Sequence, residues 1–242
     1  MKKNFIWKIL IYFIIYSIIG FLMETIYGAF TKGLLESRKS FLYGPFCIVY
    51  GIAAIVLIFS LKKYKNHNIK LFFYGMILGS LIEYFSSYIG ELILHVKWWD
   101  YSNDFLNLHG RTCLYYAVMW GILSIILINY VNPFLDKCIE NIVKKVSQYF
   151  LKFTITTITL FMILDGALTC FALDNFLVRV ANECNVNING IEKREIDNLI
   201  GDVFSNEQMM MTYPNIIIVN EKEENIHLGS VLNDIKNYYY KF

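Results

Sequence analysis

The stretch Ile18-Ile19-Gly20-Phe21-Leu22-Met23-Glu24 decides the fold, because a variant of it returns as Ile77-Leu78-Gly79-Ser80-Leu81-Ile82-Glu83. The glycine and the glutamate each lie 59 residues from their counterparts. Residues four apart share one face of a helix, so each copy presents a small residue and a carboxylate together. Both copies lie in long apolar segments, where an ionisable side chain is costly and marks a candidate functional site.

The segments that follow the two glutamates are also parallel. Gly44-Pro45-Phe46-Cys47 precedes an apolar run containing Tyr50-Gly51, and Gly110-Arg111-Thr112-Cys113 precedes one containing Trp120-Gly121. We interpret this pattern as a duplicated helical hairpin. The alternative is chance similarity between two apolar helices.

The composition indicates a membrane protein. Of 242 residues, 56% are hydrophobic and 17% charged, whereas about a quarter of a soluble domain is charged. Residues 1–173 carry 16 Lys and Arg against 9 Asp and Glu, and residues 174–242 carry 6 against 11. This shift predicts a basic transmembrane domain followed by an acidic tail. No basic patch interleaved with aromatic residues occurs, so we expect no nucleic-acid partner.

Five segments are apolar over nearly the 20 residues that cross a bilayer, and they cover approximately residues 5–30, 46–61, 70–94, 112–131 and 150–173. We therefore predict an all-α membrane protein with about five transmembrane helices. Its transmembrane domain is residues 1–173, with hairpins at 5–61 and 70–131. An amphipathic helix at 135–150 is expected along the membrane surface. Residues 174–242 are expected to form a small, mostly helical soluble tail, with helices at Glu192–Phe204 and Val231–Tyr240 and a strand at Ile216–Val219.

The loop charges predict the orientation. Eleven Lys residues flank one side of the five segments, and five Lys and Arg flank the other. By the positive-inside rule the N-terminus is cytoplasmic, and an odd number of crossings places the tail outside. The first apolar run is longer than a signal peptide core, which spans roughly 7–15 residues, so we expect an uncleaved helix.

Charged and aromatic residues outline a candidate ligand pocket. Three acids interrupt apolar segments, two arginines flank them, and an aromatic, polar loop lies on the same outer side. These residues are Glu24, Glu83, Asp165, Arg38, Arg111, Trp99, Asp100, Tyr101 and Asn107. Two carboxylates in a poorly hydrated pocket require a cationic partner or a proton. An internal Glu–Arg clamp without a ligand is the alternative.

Motifs for soluble chemistry are absent. The sequence contains no phosphate-binding loop, dinucleotide fingerprint, serine-hydrolase elbow or zinc-protease motif. Its five cysteines show no metal-ligand spacing. We therefore predict no cofactor and no metal, and we assign no catalytic residues.

Several motifs together resemble a known family. They are Tyr16-Ser17-Ile18-Ile19-Gly20, Glu24-Thr25, Tyr43-Gly44-Pro45-Phe46-Cys47, Glu83-Tyr84, Trp98-Trp99-Asp100-Tyr101-Ser102, Gly110-Arg111, Trp120-Gly121 and Tyr213-Pro214-Asn215. As a set, they resemble the ABC-transporter type IV (CmpB-like) family of bacterial integral membrane proteins. The resemblance implies a permease of the bacterial cytoplasmic membrane that works with a separate ATPase or another protein. The inner loops of this chain show no segment for coupling to an ATPase.

We therefore predict a transport-related membrane protein with an outward-facing polar pocket between two hairpin repeats. Its expected partners are the lipid bilayer and a small-molecule or lipid ligand. Two other classes stay open. One is a membrane-embedded enzyme that acts on lipid or envelope intermediates, and the other is a non-catalytic scaffold or sensor.

Overall fold

The computed structural model describes residues 5–192, 194–195, 203–220, 222, 224–228 and 240–241. Within this part of the chain the helices are α1 Phe5–Lys32, α2 Ile48–Leu61, α3 Asn68–Leu94, α4 Leu114–Ile126, α5 Asn132–Lys145, α6 Gln148–Glu183 and α7 Asn206–Thr212. The strands are β1 Leu34–Leu35, β2 Val96–Lys97, β3 Ile217–Val219, β4 Asn225–His227 and β5 Tyr240–Lys241.

Four helical segments in the described residues are long and apolar enough to cross a membrane, and they cover Phe5–Thr31, Asn68–Leu94, Leu114–Lys145 and Gln148–Glu183. Four of the five predicted segments coincide with them, because an apolar run of about 20 residues is a strong signal for a spanning helix. The chain is therefore a multi-pass, predominantly helical membrane protein.

The second predicted segment, residues 46–61, forms the shorter helix α2 of 14 residues. At about 1.5 Å per residue α2 is roughly 21 Å long, less than the roughly 30 Å of a bilayer core. Residues 42–47 before it are not helical. Five crossings are thus not confirmed, and α2 needs the preceding segment to complete one.

Helix α4 continues through a π-helix, Leu127–Val131, directly into α5. Pro133 lies in the first turn of α5, where its missing N–H is tolerated. The amphipathic helix predicted at 135–150 corresponds to α5 and the first residues of α6. It starts earlier than expected and continues α4 without a loop, so its place along the membrane surface stays a prediction.

The chain folds as two compact units whose boundaries fall inside α1, α3 and α6. Unit 1 consists of Met1–Gly20, Phe46–Phe85 and Tyr101–Ile163. Its core is an aromatic and aliphatic cluster that includes Tyr12, Tyr16, Leu57, Leu61, Leu71, Trp120 and Ile128.

Unit 2 consists of Phe21–Pro45, Ser86–Asp100 and Leu164–Phe242. Its core is built on the second half of α6, which packs against α7 and strand residues through Phe176, Leu177, Val180, Met209, Met210 and Ile218. Strands β2, β3 and β4 form an antiparallel sheet, with Val96 opposite Ile218 and Ile218 opposite Ile226. β1 pairs with β5.

The tail predictions have different outcomes. The strand predicted at Ile216–Val219 is confirmed as β3. The predicted helix Val231–Tyr240, with Ser230 as its N-cap, lies outside the described residues apart from Tyr240, which is in β5. Residues 193 and 196–202 of the predicted helix Glu192–Phe204 also lie outside them. The boundary at residue 173 stays a prediction, and α6 continues past it to Glu183.

Close glycine contacts pair the helices of unit 1. A Cβ atom added at Gly20 would lie 2.3 Å from Cβ of Tyr50, and one added at Gly79 would lie 2.3 Å from Cγ of Trp120. The returning helices show reciprocal contacts, which are Gly51 with Phe13 and Ser17, and Gly121 with Phe72 and Met76. Small residues let helix backbones approach closely in a membrane protein.

Candidate functional site

Glu83 is the buried carboxylate of unit 1. It lies in α3 with only 6% of its surface exposed. The hydroxyl of Thr112 donates a hydrogen bond to Oε2 over 2.8 Å, and the hydroxyl of Tyr101 donates to Oε1 over 3.3 Å. Each carboxylate oxygen therefore has a hydroxyl partner from the segment between α3 and α4.

The loop before α4 is fixed by its own hydrogen bonds. The Asn107 side-chain amide donates to the carbonyls of Ser102 and Asp104, both over 3.0 Å, and its oxygen accepts from the Gly110 N–H over 3.1 Å. Gly110 has a φ of +67°, a conformation that favours glycine. Asn107 thus organises the loop that carries Tyr101 and Thr112.

Aromatic rings and a cation surround this carboxylate. The ring of Tyr101 stacks on Tyr116 with centroids 4.3 Å apart. The guanidinium carbon of Arg111 lies 5.6 Å from the centre of the Tyr84 ring, within cation–π range. The Tyr84 hydroxyl lies 3.0 Å from Nδ1 of His109. Polar and aromatic groups therefore lie close to Glu83 along both α3 and the loop.

Asp165 is the buried carboxylate of unit 2. It lies in α6 with 3% of its surface exposed. Its oxygens accept hydrogen bonds from the backbone N–H of Tyr43, 3.3 Å from each oxygen, and of Gly44, 3.0 Å from Oδ2. Thr169, one turn further along α6, accepts from the N–H of Leu42 over 3.1 Å. This face of α6 therefore satisfies backbone donors of the non-helical segment before α2.

Arg38 belongs to a polar cluster that the sequence interpretation did not identify. Its Nη2 atom lies 3.2 Å from Oε2 of Glu36, which also accepts from the Asn215 amide over 2.9 Å. Glu36 is 8% exposed. A Cβ atom at Gly28 would lie 3.2 Å from Nη2 of Arg38, so the glycine leaves room for the guanidinium. The detectable signal was the Glu36-x-Arg38 spacing, which puts both side chains on one side of extended chain.

The aromatic loop before Tyr101 is held by the tail. Asp100 accepts a hydrogen bond from the Asn225 amide over 2.7 Å, and Lys97 donates to the Asn225 oxygen over 3.1 Å. Trp99 is partly exposed, and the ring of its neighbour Trp98 lies 5.3 Å from that of Tyr213. Burial raises the pKa of the Tyr213 hydroxyl above its ordinary value.

The predicted pocket residues divide between the two units. Unit 1 contains Glu83, Tyr101, Asn107 and Arg111, while unit 2 contains Glu24, Arg38, Trp99, Asp100 and Asp165. Glu24 is partly exposed on α1. The structure joins Tyr101 to Glu83 directly and engages Arg38, Asp100 and Asp165 with partners in their own unit. One pocket that contains all nine residues stays a prediction. Thr112 and Glu36 are additions that sequence reasoning missed.

The sequence comparisons identify one family. Residues 11–170 match the family described as Putative ABC-transporter type IV, and this range contains every predicted pocket residue. No curated protein and no solved structure matches the chain. Because the match covers well over half of the chain, the protein belongs to the ABC-transporter type IV family and is a transport-related membrane protein.

Proposed function

We propose that the protein is permease-like and that Glu83 binds a proton or a small cation in an outward-facing polar pocket. The observation that carries this proposal is the pair of hydroxyl groups on the Glu83 carboxylate. A hydroxyl can donate to an ionised carboxylate, and it can also accept from a protonated one. Glu83 can therefore gain or lose a positive charge while Thr112 and Tyr101 keep a hydrogen bond to it.

Burial gives this exchange its energetic meaning. A bare carboxylate within a membrane span is costly even on lenient scales, at roughly 3 kcal/mol. Neutral hydroxyls reduce that cost but do not cancel the charge. A bound proton or cation would cancel it, and for this reason such acids mark ion pathways in membrane proteins.

The glycine contacts of unit 1 support the proposed duplication. Spacing of 59 residues relates Gly20 to Gly79, and the same spacing relates the contacts of Gly51, Phe13 and Ser17, to those of Gly121, Phe72 and Met76. The partners Tyr50 and Trp120 are 70 residues apart, as are Gly51 and Gly121 themselves. Chance similarity of two apolar sequences would not reproduce a pattern of reciprocal contacts.

The two proposed repeats differ at the acid. Cys47 and Cys113 are the N-cap residues of α2 and α4. Four more residues separate Cys113 from Gly121 than separate Cys47 from Gly51, which is about one helical turn. The second hairpin thus starts its returning helix a turn earlier, and the residue just before that helix is Thr112, the hydroxyl donor to Glu83. This difference favours Glu83 over Glu24 as the binding carboxylate.

We also propose five crossings, with the second made of residues 42–47 and α2. Non-helical backbone at membrane depth is tolerated when protein groups satisfy it. The N–H groups of Leu42, Tyr43 and Gly44 bond to Thr169 and Asp165, and the Cys47 N–H donates to the Ser17 carbonyl over 2.8 Å. An N-terminus inside the cytoplasm and a tail outside follow from the loop charges. The family assignment supports a separate ATPase as a partner.

Cysteine labelling in intact cells tests this topology. We expect a membrane-impermeant maleimide to label Lys222→Cys in the tail but not Lys65→Cys in the basic loop, in a background lacking the native cysteines. Labelling of position 65 alone would reverse the orientation. Labelling of both positions, or of neither, would show an even number of crossings.

Flux measurements test the role of Glu83. Proteoliposomes with a negative interior potential should take up protons, Na⁺ or K⁺, each measured separately, faster than protein-free liposomes. Glu83→Gln should reduce that uptake to the protein-free rate, while Glu140→Gln, at an exposed position of α5, should leave it unchanged. Uptake of none of the three ions by the native protein, or equal uptake by the Glu83 variant, would refute the proposed binding role.

A clamp is the second candidate function, because both hydroxyl partners of Glu83 also lie in one short segment before α4. In that case Glu83→Gln or Thr112→Val would lower stability without any associated flux. The same proteoliposome preparations therefore separate the clamp from the binding site.

A further inference from the structure

A cavity of about 220 Å³ lies in unit 1 at the end that carries the basic loops. It is bounded by the turn after α2 and by the π-helix and first turn of α5. Its lining residues are Lys62, Lys65, Ile128, Asn132, Pro133 and Asp136. The pocket predicted around Glu83 involves none of them, so this is a second, separate feature of the molecule.

The polar residues at the base of the cavity are held in place. Asn132 is 4% exposed, and its oxygen accepts a hydrogen bond from the Tyr16 hydroxyl over 3.3 Å. Asp136 forms an ion pair with Lys8 over 2.9 Å and accepts a hydrogen bond from Tyr12. Because Lys8 already neutralises Asp136, the remaining lining charge is that of two lysines.

The wall of the cavity is cross-linked by asparagines. The Asn66 N–H donates to the Asn129 oxygen over 3.0 Å, and the Asn129 amide donates to Asn68 over 2.9 Å. Asn66 has a φ of +68°, a conformation that asparagine adopts more readily than most residues. These bonds fasten the Lys62–Lys65 turn to the π-helix, so the two ammonium groups are carried on a fixed support.

The π-helix supplies an independent indication. Such turns are rare and are frequently found at functional sites, because they insert a residue into the regular helix ladder. Here Leu127–Val131 places Ile128 and the following Asn132-Pro133 on the cavity. The irregularity therefore shapes the side of the cavity opposite the lysines.

We propose that this cavity binds a phosphate group, with the lysine ammonium groups as its charge partners and the Asn132 amide as a neutral donor. Lysine binds phosphate as a point charge. Basic pockets between helices on the cytoplasmic side of a membrane suit the head groups of anionic phospholipids. The paired carboxylate Asp136 can accept hydrogen bonds from hydroxyls, such as those of a glycerol head group, beside the phosphate. A free phosphate ester offers the same chemistry from the aqueous side.

Native mass spectrometry of the intact protein in detergent can test the site. The probes are phosphatidylglycerol, phosphatidylcholine, glycerol phosphate and inorganic phosphate, each titrated separately. Lys62→Ala with Lys65→Ala should weaken the binding of phosphatidylglycerol by about thirtyfold, because each lysine near an anionic surface contributes roughly fivefold. The matched control, Lys144→Ala with Lys145→Ala, removes the same charge from exposed positions at the end of α5 and should keep native affinity.

The outcomes identify the source of the phosphate. Loss of phosphatidylglycerol binding in the cavity variant alone, with weak binding of glycerol phosphate, assigns a lipid head group. Equal binding of glycerol phosphate or inorganic phosphate, lost in the same variant, assigns a free phosphate ligand. Equal weakening in both double variants would show general surface attraction and overturn the proposal, as would native affinity in the cavity variant or no binding of any phosphate probe. Both double variants change exposed residues, and unchanged unfolding temperatures without lipid would confirm that they fold.

Discussion

Glu83 and Asp165 are both buried acids in apolar helices, yet they are held by different kinds of donor. Hydroxyls of Thr112 and Tyr101 bond to Glu83, whereas backbone N–H groups of Tyr43 and Gly44 bond to Asp165. A backbone N–H can only donate, so it requires an acceptor at all times. A hydroxyl can reverse its role.

This difference separates two uses of the same functional group. Asp165 satisfies the backbone of a non-helical segment and must remain an acceptor, which is a structural role. Glu83 can change its protonation or bind a cation without leaving its neighbours unsatisfied. Burial alone therefore does not distinguish a structural acid from a binding acid, but the chemistry of the donors does.

Removal of the Asp165 carboxylate should have the largest effect. Asp165→Ala leaves the Tyr43 and Gly44 N–H groups without their charged acceptor, and we expect it to lower the free energy of unfolding by about 4 kcal/mol. Denaturant titration in detergent measures this loss. The control is Asp174→Ala, at an exposed site on the same helix where the carboxylate pairs with Arg194. A cost at Asp165 no larger than that at Asp174 would contradict the structural role.

Arg111 tests whether Glu83 has a charged neighbour as well as hydroxyls. If the two residues form the buried pair that the sequence predicts, Arg111→Ala should cost about 3 kcal/mol, because it leaves an uncompensated acid. Adding Glu83→Gln should then restore part of the loss. A double variant no more stable than Arg111→Ala would show that the two residues are uncoupled, and would leave the contact with Tyr84 as the role of the guanidinium.

The glycine pairs test the duplication. Gly20→Ala and Gly79→Ala each force a methyl group against a ring-bearing side chain at 2.3 Å, and such overpacking should cost about 2 kcal/mol in both hairpins. Gly33→Ala meets open space but has a φ of +65°, so it reports backbone strain without a packing clash. Unequal costs at Gly20 and Gly79, differing by more than about 1 kcal/mol, would show that the hairpins are not packed alike.

The sequence predicted the long helices well because their signal is local. The start of α1 and the end of α3 match the predicted segments closely, since apolar runs of this length have few alternatives. The extension of α6 to Glu183 was not predicted. Its charged residues ended the hydropathy signal, although Phe176 and Leu177 are fully buried in the core of unit 2.

The contacts of the candidate site could not be predicted in the same way. The acids Glu83 and Asp165 were identified correctly as buried, because charge in an apolar helix is unusual. Their partners depend on loops that return to the helices, and the 122 residues between Tyr43 and Asp165 leave no local pattern. Strands such as β2, only two residues long, are also too short to show alternation.

The central claim rests on a matched pair of substitutions, Glu83→Gln and Asp165→Asn. The glutamine amide can accept from one hydroxyl and donate to the other, so Glu83→Gln should change the free energy of unfolding by less than about 1 kcal/mol. The asparagine amide turns an N–H donor toward the Tyr43 N–H, so Asp165→Asn should cost about 2 kcal/mol. Denaturant titration of both variants in one detergent measures the difference directly. A larger loss for Asp165→Asn is the predicted result, and an equal or larger loss for Glu83→Gln would contradict the distinction between the two acids.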